Sequence, residues 1–204
     1  MLPFEGSNEV EKFYSQAGQD VFVASVLNGM RDGRFLDIGC NHPQIINNTY
    51  LLESKFGWTG IMVDNEEMTN LCKKERISRC VCGDATILDY GTLLKEENFS
   101  NIIDYASIDI DGIATFHALQ QIPLIEYKIR VITFEHDSYS MESETRELSR
   151  KYLEFFGYYR LCSDVKNDGV PYEDWYVHPE LVDMERAMAF QSNNKEWRSI
   201  LFKD

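Results

Sequence analysis

Short apolar runs, each closing on an acidic residue, recur through the first two thirds of the chain. They are Arg34-Phe35-Leu36-Asp37, Gly60-Ile61-Met62-Val63-Asp64, Cys80-Val81-Cys82-Gly83-Asp84, Tyr105-Ala106-Ser107-Ile108-Asp109 and Val131-Ile132-Thr133-Phe134-Glu135. The closing acids stand 20 to 27 residues apart. One strand of about 5–6 residues, one helix of about 11–12 and two short loops fill that interval. The stretches between carry helical patterning: Asn48 to Phe56 stops at Gly57, a helix C-terminal cap, Glu66 to Arg76 is charged and amphipathic, and Ala114 to Gln121 ends before Ile122-Pro123. Alternating strands and helices predict a mostly parallel sheet with helices on both faces, and the near-continuously apolar strands agree.

After Glu135 the pattern changes. Glu142 to Phe156 reads as a helix closed by Gly157, and Tyr158–Cys162 and Asp174–Val177 read as two strands joined by a turn-rich segment, an antiparallel hairpin at the sheet edge. A helix from Asp20 to Leu27 precedes the first strand. Glu180 to Phe190 reads as an amphipathic helix that packs on the body or, in a homodimer, on a second subunit. We therefore expect one α/β domain over residues 1–204: an N-terminal helical segment to 32, βα units over 33–137, and the hairpin and C-terminal helix over 138–204.

The composition, 44% hydrophobic and 26% charged, is that of an ordinary globular domain. The charge is more selective. Thirty-four acids against 20 bases give −14, which repels phosphate backbones and anionic membranes. The densest basic stretch, Lys73-Lys74-Glu75-Arg76, is short and interrupted by an acid. Neither nucleic acid nor membrane is expected as a partner. The five cysteines show no C-x-x-C pair, so they read as reduced thiols acting as small hydrophobes, with Cys80 and Cys82 on one face of a strand. With no basic-then-apolar leader at the N-terminus and no membrane-length apolar run, a soluble, cytoplasmic protein is expected.

In an open parallel sheet, ligands sit at the carboxyl ends of the strands, where strand order reverses. The five closing acids fall at that rim and suit a ligand with hydroxyls and positive charge. Gly39, in Asp37-Ile38-Gly39-Cys40-Asn41, permits a tight turn and close backbone approach. No G-x-G-x-x-G and no Gly-x4-Gly-Lys-Ser/Thr occurs, which argues against a pyrophosphate and hence against an NAD-linked oxidoreductase. Asp64 is placed to take two ribose hydroxyls, and Gly83-Asp84-Ala85 to meet a purine edge. A ribose, an adenine and a cationic sulfonium without phosphate describe S-adenosyl-L-methionine.

The same segments resemble the FkbM-type methyltransferases, a branch of the class I S-adenosylmethionine-dependent enzymes. The resemblance runs over residues 14–137 through Tyr14-Ser15-Gln16-Ala17-Gly18-Gln19-Asp20, Phe35-Leu36-Asp37-Ile38-Gly39-Cys40-Asn41, Asn48-Thr49-Tyr50-Leu51-Leu52-Glu53, Gly57-Trp58-Thr59-Gly60-Ile61 and Ser107-Ile108-Asp109-Ile110-Asp111-Gly112. It implies a Rossmann-like, seven-stranded sheet and methyl transfer to a hydroxyl of a small molecule or sugar. By position it places Asp37, Gly39 and Asn41 beside the methionine part of the cofactor, Asp64 on the ribose, and Asp84 with Ala85 at the adenine. Asp109 borders the cofactor too, and Gln16 and Gln19 close the pocket. The family's fourth-strand motif commonly has Glu where Asp111 stands, and Ile113-Ala114 replaces its second acidic position.

Transfer to a hydroxyl needs an aligned acceptor and a base for its proton. Asp109, Asp111, Glu135 and His136 are the candidates, with Asp137 beside them. The same acids are a possible Mg2+ site. Trp175, Tyr176, Tyr158 and Tyr159 read as core, and Glu135 to Glu142 as a substrate-side loop. The competing expectation is a methyltransferase-like cofactor-binding or interaction module without turnover.

Overall fold

The computed structural model describes residues 3–139 and 144–202. Among them the strands β1 (Arg34–Ile38), β2 (Thr59–Asp64), β3 (Arg79–Cys82), β4 (Ile102–Ile108), β5 (Lys128–Glu135), β6 (Tyr159–Asn167), β7 (Val170–Val177) and β8 (Ser192–Asn193) form one sheet, ordered β3-β2-β1-β4-β5-β7-β6-β8. The first five strands run parallel, and β7 is antiparallel to both β5 and β6. The sheet has eight strands rather than seven because the two-residue β8 adds to β6 in parallel. The hairpin thus fills the sheet beside β5 instead of ending it.

Helices α1 (Gln19–Val26), α2 (Tyr50–Phe56), α3 (Glu66–Glu75) and α8 (Trp197–Leu201) pack on one face, while α4 (Tyr90–Glu96), α5 (Ile113–Gln121) and α6 (Glu144–Phe155) cover the other. Alternation along each strand divides the core between these faces. Phe35, Tyr105, Val131 and Val177 enter the first, and Leu36, Ala106, Ile132 and Tyr176 the second. Trp175, Tyr176 and Tyr158 are core, as expected. Two short helices, α4 and α8, had no periodicity long enough to register. The expected helix from Glu180 to Phe190 shrinks to α7 (Met184–Met188). Glu142 and Ser143 lie outside the described residues, so α6 is described from Glu144. Cys82 is exposed, a correction to its reading as a buried thiol, since β3 is the edge strand. No helix among the described residues is long and apolar enough to cross a membrane.

A buried ion pair fastens the first face. Arg76, at the C-terminus of α3, is fully enclosed, and its Nε donates to Glu53 Oε1 at 2.6 Å. The rest of its guanidinium donates to the Pro43 carbonyl, Asn47 Oδ1 and Thr49 Oγ1, each at 3.1 Å. Glu53 also accepts from the Ser78 amide and hydroxyl. Every charged atom has a partner, the condition under which a buried pair is tolerated. Asn48-Thr49-Tyr50-Leu51-Leu52-Glu53 is thus largely a fastening for α2, α3 and the loop after β1. Arg76→Ala leaves Glu53 charged without a cation and is expected to cost about 3–5 kcal/mol in urea unfolding. A loss below about 1 kcal/mol would show that the pair does not hold this face.

Candidate active site

Strand order reverses at β1, which has β2 on one side and β4 on the other. A cavity of about 500 Å³ opens there, at the carboxyl ends of the strands. Gln16, Asp37, Gly39, Asn41, Asp64, Asp109 and Asp111 all line it. The floor depends on Gly39 (φ 82°), where an added Cβ would stand 1.8 Å from the Asp109 carbonyl oxygen. Only glycine lets the turn after β1 lie against the end of β4.

On the α1 face, each strand turns polar toward its carboxyl end. Beyond Phe35, Tyr105 and Val131 come Asp37, Ser107 and Thr133, paired in register. One step further stand Asp109 and Glu135, and Glu173 of β7 lies opposite Glu135. Each layer is hydrogen-bonded from the side. Thr49 Oγ1 donates to Asp37 at 2.6 Å, Asn48 Nδ2 to Ser107 Oγ at 2.9 Å, and Trp175 Nε1 to Glu173 at 2.7 Å. Asp64 accepts the Asn41 amide on one oxygen at 2.8 Å and the Asn65 amide on the other at 2.7 Å. This fixes its rotamer and leaves each oxygen a lone pair.

Crowding these acids together at the ends of the strands favours their neutral forms. Burial lifts Asp37 to about 7, opposed by the Thr49 hydrogen bond and Arg76. It lifts Glu173 to about 8, against the bond from Trp175. Asp109 and Glu135 form a hydrogen-bonded carboxyl pair. Burial raises both, and the shared bond raises Glu135 further while lowering Asp109. Both carboxyls are thereby shifted toward their neutral forms.

Five of the expected site residues do not line the cavity, and one of them, Glu135, stands behind it against Asp109. His136 follows Glu135 by one residue, so strand alternation turns it to the opposite face. There it is fully enclosed, with Nε2 3.5 Å from Asp174 Oδ1, and it is not placed to act as a base in the cavity. Gln19 is buried and donates to Tyr172 Oη at 2.9 Å, bracing α1 against β7. The Asp84 carboxylate is taken up by the Thr86 amide and hydroxyl, and neither Asp84 nor Ala85 lines the cavity. Asp20 and Ser15 of the N-terminal motif bond each other, and Gly18 packs against Trp197 and Leu201, so Gln16 is the motif residue that lines the cavity.

The expected Mg2+ site is not formed. Among the described residues, His136, Asp164 and Asp174 are the one group of three whose ligand atoms lie within 4.8 Å of one another. The Arg150 guanidinium already forks onto Asp174 at 2.7 and 2.9 Å and reaches Asp164 at 3.0 Å, taking a cation's place. Among the described residues the rim acids form no such group, and Asp109 and Glu135 hydrogen-bond each other instead.

Other wall residues were not among the expected site residues. Ile46, Asn48, Asn65, Met68 and Ile110 line the cavity, and Glu173 stands behind it. Glu173-Asp174 inside the otherwise apolar run from Tyr172 to Val177 was the legible signal, since two acids in a core strand demand partners.

No family model matches this chain, and no curated protein is similar to it at a significant level. Solved structures are. A TehB-like SAM-dependent methyltransferase from Corynebacterium glutamicum is 14% identical, with 85% of this chain and 92% of that one superposing at a TM-score of 0.52. TrmK of M. capricolum, in complex with S-adenosyl-homocysteine, is 15% identical over 89% and 74% of the two chains at a TM-score of 0.50. At this identity the likeness establishes the fold, that of the class I methyltransferases.

The raised Glu173 gives a signed expectation. Unfolded, it releases its proton near the ordinary 4.5, and folded only near 8. Between those values the folded state binds more protons, so this contribution to stability falls as pH rises from about 4.5 to 8. Glu173→Gln, which can still accept from Trp175, should flatten that fall in denaturant midpoints taken across pH 5–8. A variant as steeply pH-dependent as the parent would mean that Glu173 titrates normally.

Proposed function

We propose that this protein is an S-adenosyl-L-methionine-dependent methyltransferase acting on a hydroxyl oxygen of a small molecule or sugar. The observation that carries this reading is the carboxylate-lined cavity at the strand reversal, where Asp37, Asp64 and Asp109 converge, with Glu135 hydrogen-bonded to Asp109. Asp64, its rotamer fixed by two amides, holds the ribose hydroxyls through its remaining lone pairs. Asp37, Gly39 and Asn41 border the methionine part, and Gln16 closes the cavity from the N-terminal segment. When bound, the cofactor supplies a methyl group on a cationic sulfonium, whose charge the acids favour.

The chain's own part is orientation and proton transfer. Asp109, made more basic by burial, accepts the acceptor's hydroxyl proton while Glu135 hydrogen-bonds its other side. Asp111 is exposed on the cavity wall and orients the acceptor at the mouth. The acidic rim and the −14 charge disfavour a polyanionic acceptor, a nucleic acid or a membrane surface. The same reading places the protein in a reducing, cytoplasmic setting.

Calorimetric titration tests the cofactor. S-adenosylmethionine is expected to bind, and Asp64→Ala to weaken it about 10–100-fold, the worth of hydrogen bonds to a charged group. Absence of binding at millimolar cofactor would overturn the proposal. Across an acceptor screen scored by S-adenosylhomocysteine release, Glu135→Gln is expected to keep cofactor affinity within about threefold and lose about 10²-fold or more in turnover. Unchanged turnover would remove the carboxyl pair from the chemistry, and equal loss of binding in both variants would contradict this division of roles.

A further inference from the structure

The described residues include nine non-glycine positions with positive φ, and eight of them are Asn or Asp, the residues that tolerate the left-handed region. The ninth is Ile46, at φ 51°. A β-branched residue crowds its own backbone there, so this position stores strain that asparagine or glycine would relieve.

The surrounding bonds hold it in place. Asn47 Nδ2 donates to the Cys40 and His42 carbonyls at 2.8 and 3.1 Å, and the Asn47 amide donates to Tyr14 O at 3.1 Å. On the other side, Arg76 donates to the Pro43 carbonyl, while His42 Nδ1 accepts the Gln44 and Ile45 amides. With both flanks fixed, the chain cannot relax the dihedral of Ile46. The protein's own packing does not repay this strain, because Ile46 is 51% exposed and stands on the wall of a cavity otherwise dominated by carboxylates and amides. A half-exposed apolar group held at a strained dihedral in a polar cavity recovers its burial only when something fills that cavity.

We propose that Ile46 is a positioning residue for the cofactor, kept in a strained conformation so that its side chain packs on the bound molecule. This rests on the reading of the cavity as the S-adenosylmethionine site and adds to it an apolar contact that no motif marks. Ile46→Asn relieves the dihedral and removes the contact, whereas Ile46→Val preserves the β-branched, apolar character.

The test pairs thermal unfolding of the unliganded protein with calorimetric titration of S-adenosylhomocysteine. Ile46→Asn should raise Tm by about 2–6 °C and weaken binding about tenfold or more, while Ile46→Val stays near the parent in both. Parental affinity in Ile46→Asn, or a loss confined to the acceptor's KM, would overturn the proposal, and so would an unchanged or lower Tm. Failure of the parent protein itself to bind S-adenosylhomocysteine would instead overturn the cofactor reading, and a raised Tm in Ile46→Asn would then report strain alone.

Discussion

The contact between the turn after β1 and the end of β4 sets the geometry of this protein. At Gly39 the two backbones approach so closely that a Cβ would overlap the Asp109 carbonyl. From there α2 crosses to one face of the sheet and α5 to the other, so the loops diverge and leave a crevice between them. Asp37, Asp64 and Asp109 arrive at that crevice from three neighbouring strands. The glycine, the strand reversal and the convergence of acids are consequences of one topology.

The acids bear on each other because they share a face. Strand alternation sends Asp37, Asp109, Glu135 and Glu173 to the same side of the sheet, and sends His136 and Asp174 to the opposite side. The two layers are neutralised differently. On the cavity side no guanidinium among the described residues stands with the acids at the Glu135 end, so burial shifts Asp109 and Glu135 toward their neutral forms and the two bond each other. On the far side Arg150 pairs with Asp174 and Asp164, and His136 together with Arg150 pulls Asp174 below the usual carboxylate range despite its burial. One layer is left responsive to a cationic ligand, while the other is closed by its own cation. The acidic balance of the whole chain thereby acquires a location, although most of its 34 acids remain solvated.

The parallel order was legible because each strand closes on an acid at a regular interval, and the rim acids Asp37, Asp64 and Asp109 followed from that cadence. What stayed hidden depends on contacts between segments far apart in the chain. Arg76 read as the end of a short basic stretch interrupted by an acid, yet it stands four residues after the buried Cys72 on the same helical face. Glu173 reaches the rim only because β7 runs antiparallel, which brings the start of a C-terminal strand beside the end of β5. Ile46 has an ordinary residue type, and its significance lies in a dihedral that no pattern of residue types encodes. His136 failed for the simplest reason: one residue along a strand reverses the face.

A structure of the protein with S-adenosylhomocysteine most directly tests the claim that the carboxylate crevice is a cofactor site. The account predicts both ribose hydroxyls within about 3.2 Å of Asp64, the sulfur facing the Asp109–Glu135 side, and no contact with His136. A ligand seated elsewhere, or in the crevice with its ribose turned away from Asp64, would contradict it.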